Sequence, residues 1–305
     1  MNRPLLRPAW LIGAGLGVVA DRVLGEPPTS MHPLVHFGRA MDAVEGVIYR
    51  DDRQQGIIHT LLGTTLGAVA GRLVRSTTVA SYVAVGGRAL GEAANAVGDA
   101  LIDDDLERAR TLLPALVGRD PSDLNATEIA RATVESVAEN TVDSVVAPVL
   151  WAALCGPAGA LGYRAVNTMD AMVGHHSARY ENYGWASARL DDVANWLPAR
   201  ATAALVALVR PRATMNIIRG VLTQAPHHPS PNSGVGEVAF AAALGLRLGG
   251  RNRYGERIED RPSLGYGRSA RGDDIDDAVR VGRDVSTALA VILVVVGVAT
   301  WLARQ

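Results

Sequence analysis

From Val285 to Ala303 the chain reads VSTALAVILVVVGVATWLA, without a charged side chain, and Arg304 closes the run. A helix of about 20 apolar residues crosses the ~30 Å hydrocarbon core of a bilayer, so this segment is predicted to span one. Few other features limit a fold as strongly, because lipid admits only backbone that satisfies its own hydrogen bonds. Ser144 to Tyr163 is a second uncharged run, interrupted by Pro148 and by Gly156-Pro157, which membrane helices tolerate when neighbours satisfy the freed carbonyls. Three weaker runs are Ala9 to Ala20 behind Arg3 and Arg7, Ile57 to Ala70 with Arg72 and Arg75 before Val79 to Val85, and Leu197 to Val209 with Arg200 near its start. The first could also be a signal-peptide core, with Val18-Val19-Ala20 as its cleavage site. Spans are therefore expected near 9–24, 57–85, 144–163, 197–209 and 285–303. Trp10, Trp196 and Trp301 stand at the ends of such runs, where amphipathic rings favour the headgroup boundary.

Composition agrees with a membrane protein that has large polar segments. The chain is 48% hydrophobic and 20% charged, with a mean hydropathy of +0.12, too apolar for a typical soluble domain and too charged for a compact channel. A net charge of −1 and few aromatic residues argue against a nucleic-acid partner. Cys155 is the single cysteine, so neither an intrachain disulfide nor a cysteine metal cluster can form. The sequence holds no lysine. That excludes a P-loop lysine and a lysine Schiff base, and with it ordinary pyridoxal-phosphate chemistry.

Between the runs the pattern is polar and helical. Gly91 to Leu116 keeps a loose helical period and stops at Gly118-Arg119-Asp120-Pro121. Asn125 with Glu128 three residues on predicts an N-cap and a capping box. His227 to Gly236 and Gly249 to Gly267 are expected as loops from their Pro, Gly and Asn content. The expected fold class is all-α: a multi-pass helical membrane protein with polar helical segments outside the bilayer, one domain over 1–305. Arg3 and Arg7 place the N-terminus in the cytoplasm by the positive-inside rule.

One stretch, ESVAENTVDSVVAP, sets Glu135, Glu139 and Asp143 four apart, so that on one helix they share a face with Arg131. Such a stripe is either a solvated edge, on which exposed pairs contribute only ~0.5 kcal/mol, or the wall of a site. Beside an uncharged run the second reading gains weight, since ionisable groups near lipid are costly. Asp191-Asp192 can begin a helix or ligate. His32 and His36 are four apart, but Pro33 between them suggests a first helical turn and not a metal pair.

Several stretches together resemble the CobD/CbiB cobalamin-biosynthesis family: DRVLGEPPTSMHPLVHFGRAM, GRDPSDL, ESVAENTVDSVVAP, GYRAVNTMDAMVGHHSARYENYGWASARLDDVANWLPARATA and HPSPNSGVGEVAFAAALGLRLGG. They follow the family's order and cover most of the chain. Glu26 stands where relatives usually show Asp, and His175-His176 replace other polar residues, so no role is carried to those histidines. The resemblance implies a multi-pass protein of the cell membrane that works as an adenosylcobinamide-phosphate synthase. In that reaction aminopropanol or its phosphate is joined to a propionate of adenosylcobyric acid with ATP.

A carboxylate must be activated before it can acylate an amine, most simply as an acyl phosphate. Such a site needs Mg²⁺ on one or two carboxylates, arginines on phosphates and a base near the amine. Candidate catalytic residues are Glu135, Glu139, Asp143 and Asp170, with Glu139 and Asp143 as Mg²⁺ ligands. Candidate substrate contacts are Asn140, Arg164, Asn167, Arg179, Trp185, Arg189, Asp191, Asp192 and Asn232. The implied partners are the corrinoid, the amino alcohol, the lipid bilayer and other corrinoid-pathway enzymes, with ATP and Mg²⁺ as cosubstrate and cofactor. The rival class is a transporter of a corrinoid or other small solute, and a third is a membrane scaffold for other enzymes.

Overall fold

The computed structural model describes residues 7–118, 120–175, 177–254 and 257–305; Arg3, Arg119 and His176 lie outside them. In chain order the helices are α1 (Pro8–Leu24), α2 (Pro33–Ile48), α3 (Arg53–Val74), α4 (Thr77–Ala84), α5 (Gly87–Ile102), α6 (Leu106–Leu112), α7 (Ala126–Thr141), α8 (Ala147–Val173), α9 (Trp185–Val209), α10 (Thr214–Thr223) and α11 (Ser233–Leu244). Strands β1 (Leu246–Tyr254), β2 (Arg257–Leu264) and β3 (Arg268–Ser269) follow, and then α12 (Asp273–Leu302).

Side-chain caps open α2, α3, α4, α6 and α7. The capping box is present: Asn125 accepts from the N–H of Glu128 at 3.0 Å, and the Glu128 carboxylate accepts from that of Asn125 at 2.9 Å. The helix expected over Gly91–Leu116 is two helices, because Asp104 turns left-handed (φ 58°) and Asp105 caps α6 through the N–H of Arg108. Likewise Ile57–Val85 divides at Arg75 (φ 60°), after which the Ser76 hydroxyl caps α4. Thr141 runs into Ala147 through a π-turn, Val142–Val146, so α7 and α8 form one long helical stretch, kinked at Gly156 (φ 68°) before Pro157.

The expected all-α class is corrected by the small sheet, ordered β2-β1-β3, with β1 antiparallel to β2 and parallel to β3. The segment expected as a loop, Gly249–Gly267, contains most of this hairpin. Its turn-rich composition hid the buried Leu264, and Leu246 and Leu248, just before the segment, are buried as well. Gly249 and Gly250, at φ 81° and 101°, form a bulge where the register shifts.

Arg53–Val74, Ala126–Val173 and Asp273–Leu302 are long and apolar enough to cross a membrane. The expected spans at 9–24 and 197–209 lie in α1 and α9, which are helices but not among those three.

The chain forms two compact units. Unit 1 comprises the chain up to Gly86, Asp143–Asn195 and Leu289–Gln305; unit 2 comprises Gly87–Val142 and Trp196–Ala288. In unit 1, α3 packs along α8, and α1 packs on α4 and α8. The face α3 buries is largely glycine: a Cβ on Gly71 would lie 2.1 Å from the Pro157 carbonyl oxygen, and one on Gly67 would lie 2.6 Å from Ala165 Cβ. Ile58, Leu62, Leu66 and Leu73 on the same helix are exposed. Small residues inside and leucines outside invert the soluble-helix pattern and match close helix packing in lipid. In unit 2, α11 packs on α7, α10 and β1, around buried Ile129, Val134, Phe240, Leu248 and Leu264.

Candidate functional site

Each unit holds a polar cluster, and the acid stripe is divided between them. In unit 1, Tyr163, Arg164 and Asn167 lie on α8, and Asp191 and Asn195, four apart, lie on α9. Arg164 Nη1 donates to Ser144 Oγ and to Asn167 Oδ1, both at 3.1 Å. Asn167 Nδ2 donates to Asp191 Oδ1 at 3.3 Å, and Asn195 Nδ2 donates to Asp191 Oδ2 at 2.9 Å. The Tyr163 hydroxyl lies 2.7 Å from Asn195 Oδ1 and 3.1 Å from the Asp143 carbonyl oxygen. The network therefore starts and ends on the π-turn, at Ser144 and Asp143. Arg164 Nε is buried without a hydrogen-bond partner, an open donor in an otherwise connected network.

Glu26 and His32 stand beside this network and were missed as site residues. Glu26 Oε1 abuts Gly86, whose N–H donates to the Ser144 carbonyl at 3.0 Å, and Glu26 Oε2 lies 3.9 Å from His32 Nε2. The signal was available in GEPPTSMHP, read only for its departure from the family. His32 caps α2 through Nδ1, as Pro33 suggested, while His36 is exposed and contacts the Ser30 carbonyl. Burial lowers the pKa of His32, the charge of Glu26 opposes that, and Arg164 adds to it.

The remaining unit 1 candidates have other neighbours. Arg179 donates to Glu45 Oε1 through Nη2 at 2.8 Å, and its guanidinium lies 4.1 Å from the ring centre of Tyr49. Tyr180 donates to the same Glu45 oxygen. Asp170 packs against Gly174 at the end of α8. Arg189 and Asp192 form an ion pair at 3.3 Å, and burial outweighs Arg189 in raising the Asp192 pKa. Trp185 faces Arg53 at 5.2 Å.

In unit 2, Glu135 is buried, its side chain 3% exposed, so the solvated-edge reading fails for it. Its Oε1 accepts the Gly249 N–H at 2.8 Å, and Arg131 donates to the Gly249 carbonyl. Glu139 accepts the Ser233 hydroxyl at 2.8 Å. Asn140 donates to the Ser136 carbonyl, a bond within α7, and Asn232 Oδ1 accepts from Arg200 at 2.9 Å. Sequence reading overlooked His228, Glu237 and Arg261. His228 Nε2 lies 3.6 Å from Glu237 Oε1 and Arg261 Nη1 lies 3.7 Å from it, with Glu237 fully buried. Glu237 is the one charged residue between His228 and Arg247, which was a usable clue. Burial lowers the His228 pKa; the Ser230 carbonyl opposes, Arg261 reinforces, and Glu139 and Glu135 oppose.

Glu139 and Asp143, expected to share Mg²⁺, fall in different units. Among the described residues no three His, Cys, Asp or Glu side chains gather as a metal site. By donor type the Glu139 carboxylate and Ser233 hydroxyl are the hard oxygens that Mg²⁺ takes, and Mg²⁺ bound to phosphates needs only one or two protein carboxylates.

Residues 14–282 match the profile of the CobD/Cbib protein family. A cobalamin biosynthesis protein CobD of Mycobacterium tuberculosis is 45% identical over 93% of this chain and 94% of its own length. Proteins of the same name from Chromobacterium violaceum and Pelobacter propionicus are 41% and 37% identical, over 87% and 91% of this chain and 90% and 92% of their own lengths. No solved structure matches the chain.

Proposed function

Because the chain belongs to the CobD/CbiB family, we propose that it is a cobalamin-biosynthesis enzyme of the cell membrane that joins aminopropanol or its phosphate to a propionate of adenosylcobyric acid with ATP. The propionate oxygen attacks the γ-phosphorus of ATP, giving an acyl phosphate and ADP. The amine nitrogen then attacks the acyl carbon, phosphate leaves, and the nitrogen loses a proton to a base. The products are the amide, ADP and phosphate.

What supports this reading most is Arg164: a half-buried side chain whose Nη1 donates to Ser144 and Asn167 and whose buried Nε has no hydrogen-bond partner among the described residues. An anionic oxygen, carboxylate or acyl phosphate, is what such a donor binds well. Asn167 and Asn195 hold Asp191 by both carboxylate oxygens, so Asp191 is oriented to take the proton of the attacking amine. Tyr163 locks Asn195 in turn. In unit 2, Glu139 and Ser233 would hold Mg²⁺, which when bound offsets phosphate charge. Glycine-faced helices with leucines turned outward support the membrane location.

The test is product formation by purified protein in detergent with adenosylcobyric acid, aminopropanol or its phosphate, and Mg-ATP. The expected result is the amide, with nucleotide consumption that needs both organic substrates. Solute accumulation in sealed vesicles without amide would overturn the proposal in favour of a carrier.

A further inference from the structure

A cavity of about 340 Å³ opens within unit 2 between the start of α7 and the β1–β2 hairpin, beside the Glu135 and Glu237 cluster, with which it shares Arg131, Gly249 and Arg261. Among the described residues three arginines line it, Arg131 from α7, Arg247 from β1 and Arg261 from β2, with one carboxylate, that of Glu128. Glu128 is committed to the capping box at 2.9 Å. Its floor is the bulge Gly249-Gly250. A Cβ on Gly250 would stand 2.6 Å from Arg131 Nη1, so glycine there makes the space the guanidinium occupies. Arg131 and Arg261 are largely buried, with 12% and 18% of their side chains exposed. Each stands against a buried carboxylate, Arg131 at 3.9 Å from Glu135 and Arg261 at 3.7 Å from Glu237, which helps to fix its guanidinium. Guanidinium forks gathered along one hollow offer several N–H donors of one sign, the lining that an anionic oxygen group takes. The expected forks Arg164, Arg179 and Arg189 are all elsewhere, in unit 1.

We propose that this cavity is a phosphate-binding subsite, in which Arg131, Arg247 and Arg261 hold a phosphomonoester or the phosphates of a nucleotide. Three forks converging on a small glycine-floored hollow suit a tetrahedral dianion, whose oxygens accept several N–H groups at once. The bulge re-aims its strand and lets the Gly249 N–H go to Glu135, and Arg247, just before it, is exposed. The choice of probes rests on the proposed reaction; the site itself does not.

The experiment is calorimetric binding to the full chain in nanodiscs. The probes are aminopropanol phosphate, aminopropanol, and a non-hydrolysable ATP analogue with and without Mg²⁺, tested on the parent, Arg261→Gln and Arg247→Gln. A phosphate-bearing probe should bind the parent, weaken tenfold or more in each variant and weaken with salt, while aminopropanol is indifferent to both changes. Loss confined to aminopropanol phosphate identifies a monoester site, and loss confined to the analogue identifies a nucleotide site. If Arg261→Gln fails to insert, Arg247→Gln at the exposed mouth decides. Parental affinity in the variants, or no phosphate probe binding the parent, overturns the proposal. Arginine-dependent binding without amide synthesis leaves this site standing and removes the ligase reading; normal synthesis with unaltered binding does the reverse.

Discussion

Glu135 Oε1 accepts the backbone N–H of Gly249 at 2.8 Å, joining α7 to β1 across 114 positions of sequence. The carboxylate is buried, so its removal strands a buried donor instead of returning it to water. Glu135→Ala should therefore destabilise unit 2 by about 1–3 kcal/mol, and Glu135→Gln, which keeps an acceptor, by clearly less. Chemical denaturation in detergent measures both. Equal losses would mean that the hydrogen bond is not what holds the bulge.

Glu139→Gln should leave folding intact and lower amide formation by on the order of 10²–10³, the usual effect of removing one charge from a reacting centre. Glu107→Gln, on an exposed i,i+3 pair with Arg110, is the control and should keep parental turnover. Equal rates in both variants would return Glu139 to a purely structural bond with Ser233.

Arg164→Lys keeps the charge and loses the fork. With Ser144 and Asn167 still present, insertion should be normal, while kcat/KM for the corrinoid should fall roughly 10²-fold. A parental value would move the acyl site away from α8.

Acidification should weaken the fold through His228. Its pKa is lowered in the folded chain, burial outweighing the carboxylates of Glu139 and Glu135 while Arg261 adds to the effect. Below the ordinary value of 6.5 the unfolded imidazole takes a proton that the buried one refuses, so the unfolded state binds more protons and stability falls as pH drops through that window. His228→Asn should flatten the slope of unfolding free energy between about pH 7 and pH 5.5, leaving the dependence from His32, whose shift has the same sign. An unchanged slope would assign the effect elsewhere.

Carbonate-washed membranes should retain the protein. The exposed leucines of α3 and the exposed Val291, Ile292, Val295 and Val296 of α12 have no partner in water. Release into the supernatant would end the multi-pass reading.

Local signals were the most legible part of the sequence. The Asn125 capping box needs only residues three apart, and the apolar run of α12 only a continuous window. Long-range features were hidden. Burial of Glu135 depends on Gly249, which no spacing rule connects to it. The hairpin looked like a loop because its glycines, required at positive φ, are the residues that turns also require. Its arginines looked like a balanced surface, and only the fold sets two of them, with Arg131 of α7, around one hollow. Asp191 and Asn167 were named from a family signature, but that Asn195 and Tyr163 complete their network became visible only once α8 and α9 were in place.

The division of the chain also bears on its biogenesis. Unit 1 takes its last segment, Leu289–Gln305, from the end of the sequence, where Val294 and the Ala290 carbonyl pack against Gly15 of α1. A ribosome releases Gly15 long before Ala290 and Val294, so this glycine face of α1 stays uncovered until α12 is made. Loss of Leu289–Gln305 would thus also strip packing from α1, and quality-control proteases would meet an opened helix far away in sequence in place of a merely shortened tail.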